Sequence, residues 1–176
     1  MLIWEEGPVI RNVRKMVLAS LFAAMTAVCA WISIPVPPLA FTLQSFAVLL
    51  CLGLLGGKWG LVTMVAYLAL GMVGLPVFAG FQGSSALMGP TGGFLWGFVA
   101  GAAAYWCLEK LGKLPAMMAA QLVCYGCGCL WFSVYAGNPG VTAAVLTCVA
   151  PYLLPDGVKL ALAYSLSRRI GRQMNK

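Results

Sequence analysis

The sequence predicts an all-α membrane protein with six transmembrane helices. Of its 176 residues, 62% are hydrophobic and only 9% are charged, whereas a soluble domain carries about 25% charged residues. Three long stretches, residues 16–57, 59–108 and 114–155, contain no charged side chain. A transmembrane helix needs ~20 apolar residues, so each stretch can hold two spans. We therefore expect residues 1–176 to form a single polytopic membrane domain.

Prolines, glycines and charges divide these stretches into spans. Pro35–Pro38 ends the first span, because proline lacks an amide donor and restricts the residue before it. Gly56–Lys58 separates the second span from the third, and the glycine-rich segment 75–90 forms an outward loop before the fourth. Asn138–Gly140 makes a turn after the fifth, and an apolar segment interrupted by Pro151 precedes the sixth. The predicted spans are 16–34, 42–55, 59–74, 91–111, 115–135 and 155–169.

The basic residues predict that both termini are cytoplasmic. The opposite loops, 35–40, 75–90 and 136–140, contain no charge, and basic loops face the cytoplasm. A secretory signal peptide ending at Val28–Ala30 is an alternative interpretation of the N-terminus, but its removal would disturb this charge distribution. Ten basic residues fall on one side of the six spans: Arg11, Arg14, Lys15, Lys58, Lys110, Lys113, Arg168, Arg169, Arg172 and Lys176.

Composition argues against several classes of function. There is no histidine, and the acids are Glu5, Glu6, Glu109 and Asp156, so we expect no metal site and no cofactor. The nearest match to a phosphate loop, 56–60, lacks the final Lys-Ser or Lys-Thr, so the chain does not use ATP itself. The net charge of +7 reflects basic residues at span ends rather than nucleic-acid binding. The seven dispersed cysteines fit buried packing, not a disulfide framework.

Asp156 and Lys159 are predicted to be charged residues inside the membrane. Asp156 to Ser167 covers 12 residues, which is about 18 Å of helix and less than the ~30 Å hydrocarbon core. A helix start at that depth is tolerated where it lines a protein cavity, and residues three apart share a helix face. Intramembrane charges mark functional sites by default. A structural ion pair that fixes the sixth helix is the alternative.

Neutral residues of the outward half supply the other parts of a small-molecule pocket. For each aromatic residue taken singly, ordinary packing or lipid contact remains an alternative. The polar candidates are Gln44, Gln82 and Thr91, and the candidate walls are Phe78, Phe81, Trp96 and Tyr152.

A stripe of small residues lies on the first span. Ala19, Ala23 and Ala27 recur every four residues, and such a stripe allows close contact between helices without a hydrophobic driving force. The stripe fits either a partner surface or internal packing, and the residues leave both interpretations open.

Four strings, in order along nearly the whole chain, resemble the BioY family. They are Pro35–Pro37 followed by Phe41–Gln44, then Gly71–Gly80, Gly89–Phe94 and Asp156-x-x-Lys159. Two positions depart from the family pattern. Residues 38–40 stand between Pro-Val-Pro and Phe-Thr-Leu-Gln, and Pro155-Asp156-Gly157 stands where the family usually has Pro-Gly-Asp. Neither departure changes the two charged residues.

BioY proteins are the biotin-binding S components of energy-coupling factor (ECF) transporters. The resemblance therefore implies an ECF S-component-like bundle in the bacterial cytoplasmic membrane. Such a protein captures biotin outside and delivers it with a transmembrane T component and two ATPase subunits. The resemblance also implies that the alanine stripe contacts the T component.

Asp156 and Lys159 match the family's contacts to the biotin head group. Asp156 would accept a hydrogen bond from a ureido N–H, and Lys159 would donate one to the ureido oxygen. Gln82, Thr91, Phe78 and Tyr152 complete the predicted substrate site, and segment 75–90 is a candidate lid. The residue that meets the valerate carboxylate stays open, with Gln82, Ser84 and loop amides as candidates.

Three other functions are compatible with the sequence. The first is an S component for a different vitamin. The second is a membrane-embedded enzyme that uses Asp156 and Lys159 as acid and base, although metal ligands and a nucleophile-base pair are missing. The third is a structural subunit whose ion pair binds nothing. Chemical conversion of a bound ligand would indicate the enzyme, and the absence of any saturable site would indicate the structural subunit.

Overall fold

The computed structural model describes residues 8–36, 39–137 and 140–174. Single turns of 3-10 helix lie at Ala79–Phe81, Glu109–Leu111 and Ala150–Tyr152. Two strands, β1 (Ser33–Val36) and β2 (Leu39–Thr42), follow the first helix. The helices are α1 (Pro8–Trp31), α2 (Gln44–Leu55), α3 (Gly57–Met72), α4 (Ser85–Met88), α5 (Gly92–Leu108), α6 (Lys113–Tyr135), α7 (Val141–Cys148) and α8 (Leu153–Met174).

Six long helices, α1, α2, α3, α5, α6 and α8, overlap the six predicted spans. Among the described residues, three segments are long and apolar enough to cross a membrane: Asn12–Trp31, Lys113–Tyr135 and Thr142–Gln173. Helices α2 and α3 are apolar but shorter, with 12 and 16 residues. A 12-residue helix rises about 18 Å, so α2 alone crosses only part of a ~30 Å hydrocarbon core.

The connection after α1 is a β-hairpin, so the all-α prediction is wrong there. Strand β1 pairs antiparallel with β2, with Ser33 opposite Thr42. Residues that precede proline favour extended backbone, so the prolines that end α1 also favour a strand. Pro37 and Pro38 of the predicted proline loop lie outside the described residues. The hairpin is important for function because the end of β2 leads directly into the site.

The last third of the chain differs in detail from its prediction. The apolar segment before the sixth span forms the separate helix α7, followed by the 3-10 turn that contains Pro151. Helix α8 runs from Leu153 to Met174 and is therefore longer than the predicted 155–169. The predicted turn residues Asn138 and Pro139 lie outside the described residues. Because α8 starts before Asp156, the carboxylate lies in the first turn of a long helix.

Helices α5 and α6 pack closely because glycines lie along their contact. A Cβ added at Gly101 would lie 2.7 Å from the Ala120 carbonyl oxygen. At Gly97, an added Cβ would lie 3.0 Å from the carbonyl oxygen of Cys124. Small residues let helix backbones approach in a membrane, where lipid is as apolar as a protein core. The close contact fixes the position of α6, which carries side chains of the site.

The alanine stripe of α1 faces the interior of this chain. Ala19, Ala23 and Ala27 are only 7%, 4% and 6% exposed. Helix α1 packs on α2 and α3, and small side chains allow that close approach. The exposed small residues of α1 are Ser20 and Ala24, one position further along the chain. In the isolated chain the stripe therefore contributes to internal packing.

Candidate functional site

Asp156 and Lys159 form a buried ion pair in the first two turns of α8. Their exposed fractions are 7% and 6%, and the Lys159 Nζ lies 2.7 Å from the Asp156 Oδ1. The spacing of three residues places both side chains on one helix face, as the sequence predicted. Two buried charges so close together stabilise each other only if their remaining hydrogen-bonding capacity is also used.

Three neutral side chains complete the hydrogen bonding of the Asp156 carboxylate. Tyr125 Oη donates to Oδ2 at 2.7 Å, and Gln121 Nε2 donates to the same oxygen at 3.2 Å. Ser45 Oγ donates to Oδ1 at 3.2 Å, beside the ammonium of Lys159. A carboxylate offers about four lone-pair sites, so four donors saturate it. The carboxylate is therefore held in one orientation by α2, α6 and α8 together.

The Lys159 ammonium is held by β2 and the start of α2. Nζ donates to the Thr42 carbonyl oxygen at 2.6 Å and to Ser45 Oγ at 3.2 Å. Nζ also lies 3.9 Å from the centroid of the Phe41 ring, a cation–π contact. With the bond to Asp156, each of the three N–H donors of the ammonium has an acceptor. Within the described residues, no buried side-chain polar atom lacks a partner.

A cavity of about 90 Å³ lies against this network. Its polar wall is the ion pair and its neighbours, and its other walls are mostly apolar. That combination is typical of small-molecule sites, in which a few polar groups orient the ligand. The polar lining residues are Thr42, Gln44, Ser45, Thr91, Gln121, Tyr125, Asp156 and Lys159, and the others are Leu39, Ala40, Phe78, Ala79, Ala86, Phe94, Leu95, Phe98, Cys124, Cys148 and Tyr152.

The structure brings most of the predicted site residues to this cavity. Thr91, Phe78 and Tyr152 line it together with the ion pair. Phe78 is 1% exposed, packs over Gly71 of α3 and makes an edge-to-face contact with Tyr67 at 5.4 Å between centroids. Most of the Phe78 ring therefore belongs to the core, and only part of it faces the cavity.

Gln82, predicted for the substrate site, does not line the cavity. The Gln82 side chain is exposed. The backbone carbonyl oxygen of Gln82 accepts a hydrogen bond from the backbone N–H of Phe78 at 3.0 Å. This backbone pairing turns the Gln82 side chain outward. Phe81 and Trp96, two candidate walls, are 65% and 44% exposed and also do not line the cavity, and Ser84 is exposed.

Two contacts hold the covering segments of the cavity in place. Tyr152 Oη donates to the Leu39 carbonyl oxygen at 2.8 Å and so ties β2 to the 3-10 turn before α8. Trp31 Nε1 donates to the Pro76 carbonyl oxygen at 2.8 Å, and its ring stacks on Phe81 at 5.1 Å. Both the hairpin and segment 75–82 are therefore held in place beside the cavity.

The model of the BioY family matches residues 5–176. The chain belongs to the BioY family. A protein of Thermotoga maritima named biotin transporter BioY is 36% identical, over 89% of this chain and 95% of that protein. A probable biotin transporter BioY of Pyrococcus horikoshii is 37% identical, over 89% and 96%.

A solved structure has the same fold as this BioY chain. It is the crystal structure of the S component for biotin from an ECF-type ABC transporter, and it matches with a TM-score of 0.84. The match covers 92% of this chain and 93% of the solved chain, at 23% sequence identity. The ECF S-component fold predicted from the sequence is therefore confirmed.

Sequence reasoning missed three residues that line the cavity and bond to Asp156: Ser45, Gln121 and Tyr125. Gln121 and Tyr125 are four residues apart in the fifth span, a spacing that places two polar groups on one helix face. Two polar residues on one face of an apolar span could have indicated that this face lines the site. The cysteines in the same span drew attention instead. Ser45 follows Gln44, which lines the cavity but donates its own hydrogen bond to Tyr67 Oη at 2.9 Å.

Proposed function

We propose that this chain is the biotin-binding S component of an ECF transporter, a membrane protein that takes up biotin without catalysing a reaction. The observation that carries the proposal is the buried Asp156–Lys159 pair at the polar wall of an otherwise apolar cavity. Membership of the BioY family supports it, as do relatives named biotin transporters and the shared fold of a biotin S component.

The ion pair offers the two kinds of contact that a cyclic urea needs. A ureido group has N–H donors for the Asp156 carboxylate and a carbonyl acceptor for the Lys159 ammonium. Hydrogen bonds to ionised groups are about twice as strong as neutral ones, and a low dielectric strengthens them further. The pair therefore binds a neutral polar head group without placing a net charge in the cavity.

Ser45 marks the place where the head group binds. Its hydroxyl donates to Asp156 Oδ1 and accepts from Lys159 Nζ, both at 3.2 Å. A ureido group has the same pattern of one donor and one acceptor, so it can replace both contacts of the hydroxyl. The replaced contacts are long for bonds to charged groups, whereas the 2.7 Å bonds from Tyr125 and Lys159 to Asp156 remain.

The apolar walls accommodate the remainder of biotin. Phe78, Tyr152 and their neighbours can contact the sulfur-containing ring and the alkyl chain, and Thr91 adds a hydroxyl to the lining. Leu39 of β2 and Ala79 of segment 75–82 lie on the covered side. Access of biotin from outside requires movement of the hairpin or of this segment, and the bound ligand would be shielded from water once they return.

The arrangement in the membrane follows the distribution of charge. The six long helices cross the bacterial cytoplasmic membrane, with both termini and the basic loops on the cytoplasmic side. A transmembrane T component and two ATPase subunits supply the energy, because this chain has no phosphate loop of its own. The chain needs no cofactor, and biotin is its ligand.

Equilibrium binding of biotin to the detergent-purified chain tests the proposal. We expect saturable binding that desthiobiotin competes for and an unrelated vitamin does not. Asp156→Asn should weaken binding by roughly 2–5 kcal/mol, because it leaves Lys159 without its charged partner. Glu109→Gln is the matched control, since it makes the same chemical change to an exposed carboxylate outside the cavity.

Three results would contradict the proposal. Unaltered biotin affinity in a folded Asp156→Asn variant would show that the ion pair does not contribute to biotin binding. Absence of biotin binding by the folded wild-type chain would point to another vitamin. Recovery of a chemically altered ligand after incubation would indicate an enzyme, whereas a transport subunit returns biotin unchanged.

A further inference from the structure

A second cavity lies near the other end of α8, away from the ion pair. Asp156 and Arg168 are 12 residues apart on that helix, which is about 18 Å. The cavity, of about 730 Å³, is therefore separate from the proposed biotin site. We call it the basic groove, and it is lined by Leu54 of α2, Lys113 of α6, and Tyr164, Ser167, Arg168, Gly171 and Arg172 of α8.

The basic groove concentrates positive charge, and neither carboxylate of the described residues lies in its lining. Lys113, Arg168 and Arg172 line it, and none of its lining residues is acidic. Glu109 and Asp156 are the two carboxylate side chains of the described residues, and both are hydrogen-bonded outside the groove. Three cations with no acidic partner in the described part of the chain create a strong preference for a bound anion.

The groove has both free donors and free space. One N–H of the Arg168 guanidinium donates to Tyr164 Oη at 3.4 Å, which leaves most of its five donors for a ligand. A Cβ added at Gly171 would meet only the Lys113 Nζ, at 4.0 Å. Because Gly171 has no side chain, the space next to the Lys113 ammonium stays open. Leu54 and the Tyr164 ring add apolar surface to the groove.

We propose that the basic groove binds the phosphate headgroup of an anionic phospholipid. Helices α6 and α8 belong to segments long enough to cross a membrane, so their basic ends lie at the depth of the headgroups. Arginine binds phosphate oxygens in a bidentate manner, and lysine adds a point charge. Basic pockets between transmembrane helices on the cytoplasmic side bind anionic headgroups in other proteins.

A phospholipid fits the surroundings better than a soluble phosphate. Leu54 and Tyr164 are half-buried side chains that line the groove beside its three basic residues. These side chains offer apolar surface to the acyl chains of a lipid, whereas a free phosphate would use only the charged end. The lipid would join α2, α6 and α8 at the end of the bundle opposite the ion pair.

Native mass spectrometry of the detergent-purified chain with added phosphatidylglycerol or phosphatidylcholine tests the inference. We expect the wild-type chain to bind phosphatidylglycerol at least about ten-fold more tightly than phosphatidylcholine. The triple variant Lys113→Gln, Arg168→Gln and Arg172→Gln should lose this preference. The matched control is Lys58→Gln, Lys110→Gln and Arg169→Gln, which removes three exposed charges that do not line the groove and should keep the preference.

Gly171→Leu separates the groove from general surface electrostatics, because it fills the space and keeps every charge. We expect this variant also to lose the phosphatidylglycerol preference while its thermal unfolding stays close to that of the wild type. Equal losses in the groove and control triple variants would overturn the inference, as would an unchanged preference in Gly171→Leu. Complete displacement of the lipid by millimolar inorganic phosphate would assign the groove to a soluble anion instead. If the groove triple variant does not fold, Arg172→Gln alone should weaken phosphatidylglycerol binding several-fold.

Discussion

Tyr125→Phe is the sharpest test of how the site holds its carboxylate. The substitution keeps the aromatic ring on α6 and removes only the hydroxyl that donates to Asp156 Oδ2 at 2.7 Å. Gln121, at 3.2 Å, is then the remaining neutral donor to that oxygen. Because a hydrogen bond to a charged group contributes about 1.5–3 kcal/mol, we expect the free energy of unfolding to fall by about that amount.

Biotin binding should weaken as well, because the carboxylate loses part of its fixed orientation. We expect the Kd to rise about ten-fold, which corresponds to about 1.4 kcal/mol. Titration calorimetry on the detergent-purified chain measures the change. Tyr135→Phe is the matched control on the same helix, since Tyr135 is exposed and does not line the cavity.

A double-mutant cycle with Asp156→Asn decides whether the effect passes through the carboxylate. If Tyr125 acts by orienting Asp156, Tyr125→Phe should change the binding energy much less in the Asp156→Asn background than in the wild type. Equal effects in both backgrounds would refute the reasoning, as would an unchanged Kd and stability in the single variant. A ring contact between Tyr125 and biotin would instead leave Tyr125→Phe close to wild type.

Three further predictions concern the covering hairpin, the helix contact and the alanine stripe. Tyr152→Phe removes the bond between β2 and the 3-10 turn before α8, so both association and dissociation of biotin should become several-fold faster in stopped-flow measurements. Unchanged rates would show that this bond does not limit access. Gly101→Ala should lower the free energy of unfolding by about 1–3 kcal/mol, because its Cβ meets backbone, whereas Gly126→Ala meets nothing within 4 Å and should not destabilise the chain. Ala23→Leu should destabilise the isolated chain by a similar amount in thermal unfolding, whereas Ala24→Leu should not. Equal stabilities of the two variants would favour a partner surface for the stripe.

Two physical causes explain why the sequence did not show which way the α1 alanines and Gln82 face. In a soluble protein, a polar face shows which side of a helix is buried, but lipid and protein core are both apolar. The sequence of α1 therefore contains the alanine stripe without showing that Ala23 faces the interior and Ala24 the exterior. Gln82 failed for a different reason, since a backbone hydrogen bond to Phe78 sets its direction.

The hairpin and the hydrogen-bond partners of Asp156 could also be identified only from the tertiary structure. Each strand has only four residues, and the prolines that identified a break were equally consistent with an irregular loop. Ser45 and Tyr125 are 111 and 31 residues from Asp156 along the chain. No local spacing relates such distant residues, so their convergence follows only from the packing of α2, α6 and α8.

The sequence by itself determined the approximate positions of the six long helices and the ion pair. Charge-free stretches must form helices in a membrane, because every backbone polar group there needs a partner within the chain. Asp156 and Lys159 lie three residues apart, so helical geometry alone brings them together. Only the tertiary structure decided which faces are buried, which side chains surround the pair and where the basic groove opens. Those features depend on contacts between helices that are distant in sequence. The lipid-facing and protein-facing sides of these helices are about equally apolar, so the sequence does not show which helices make contact.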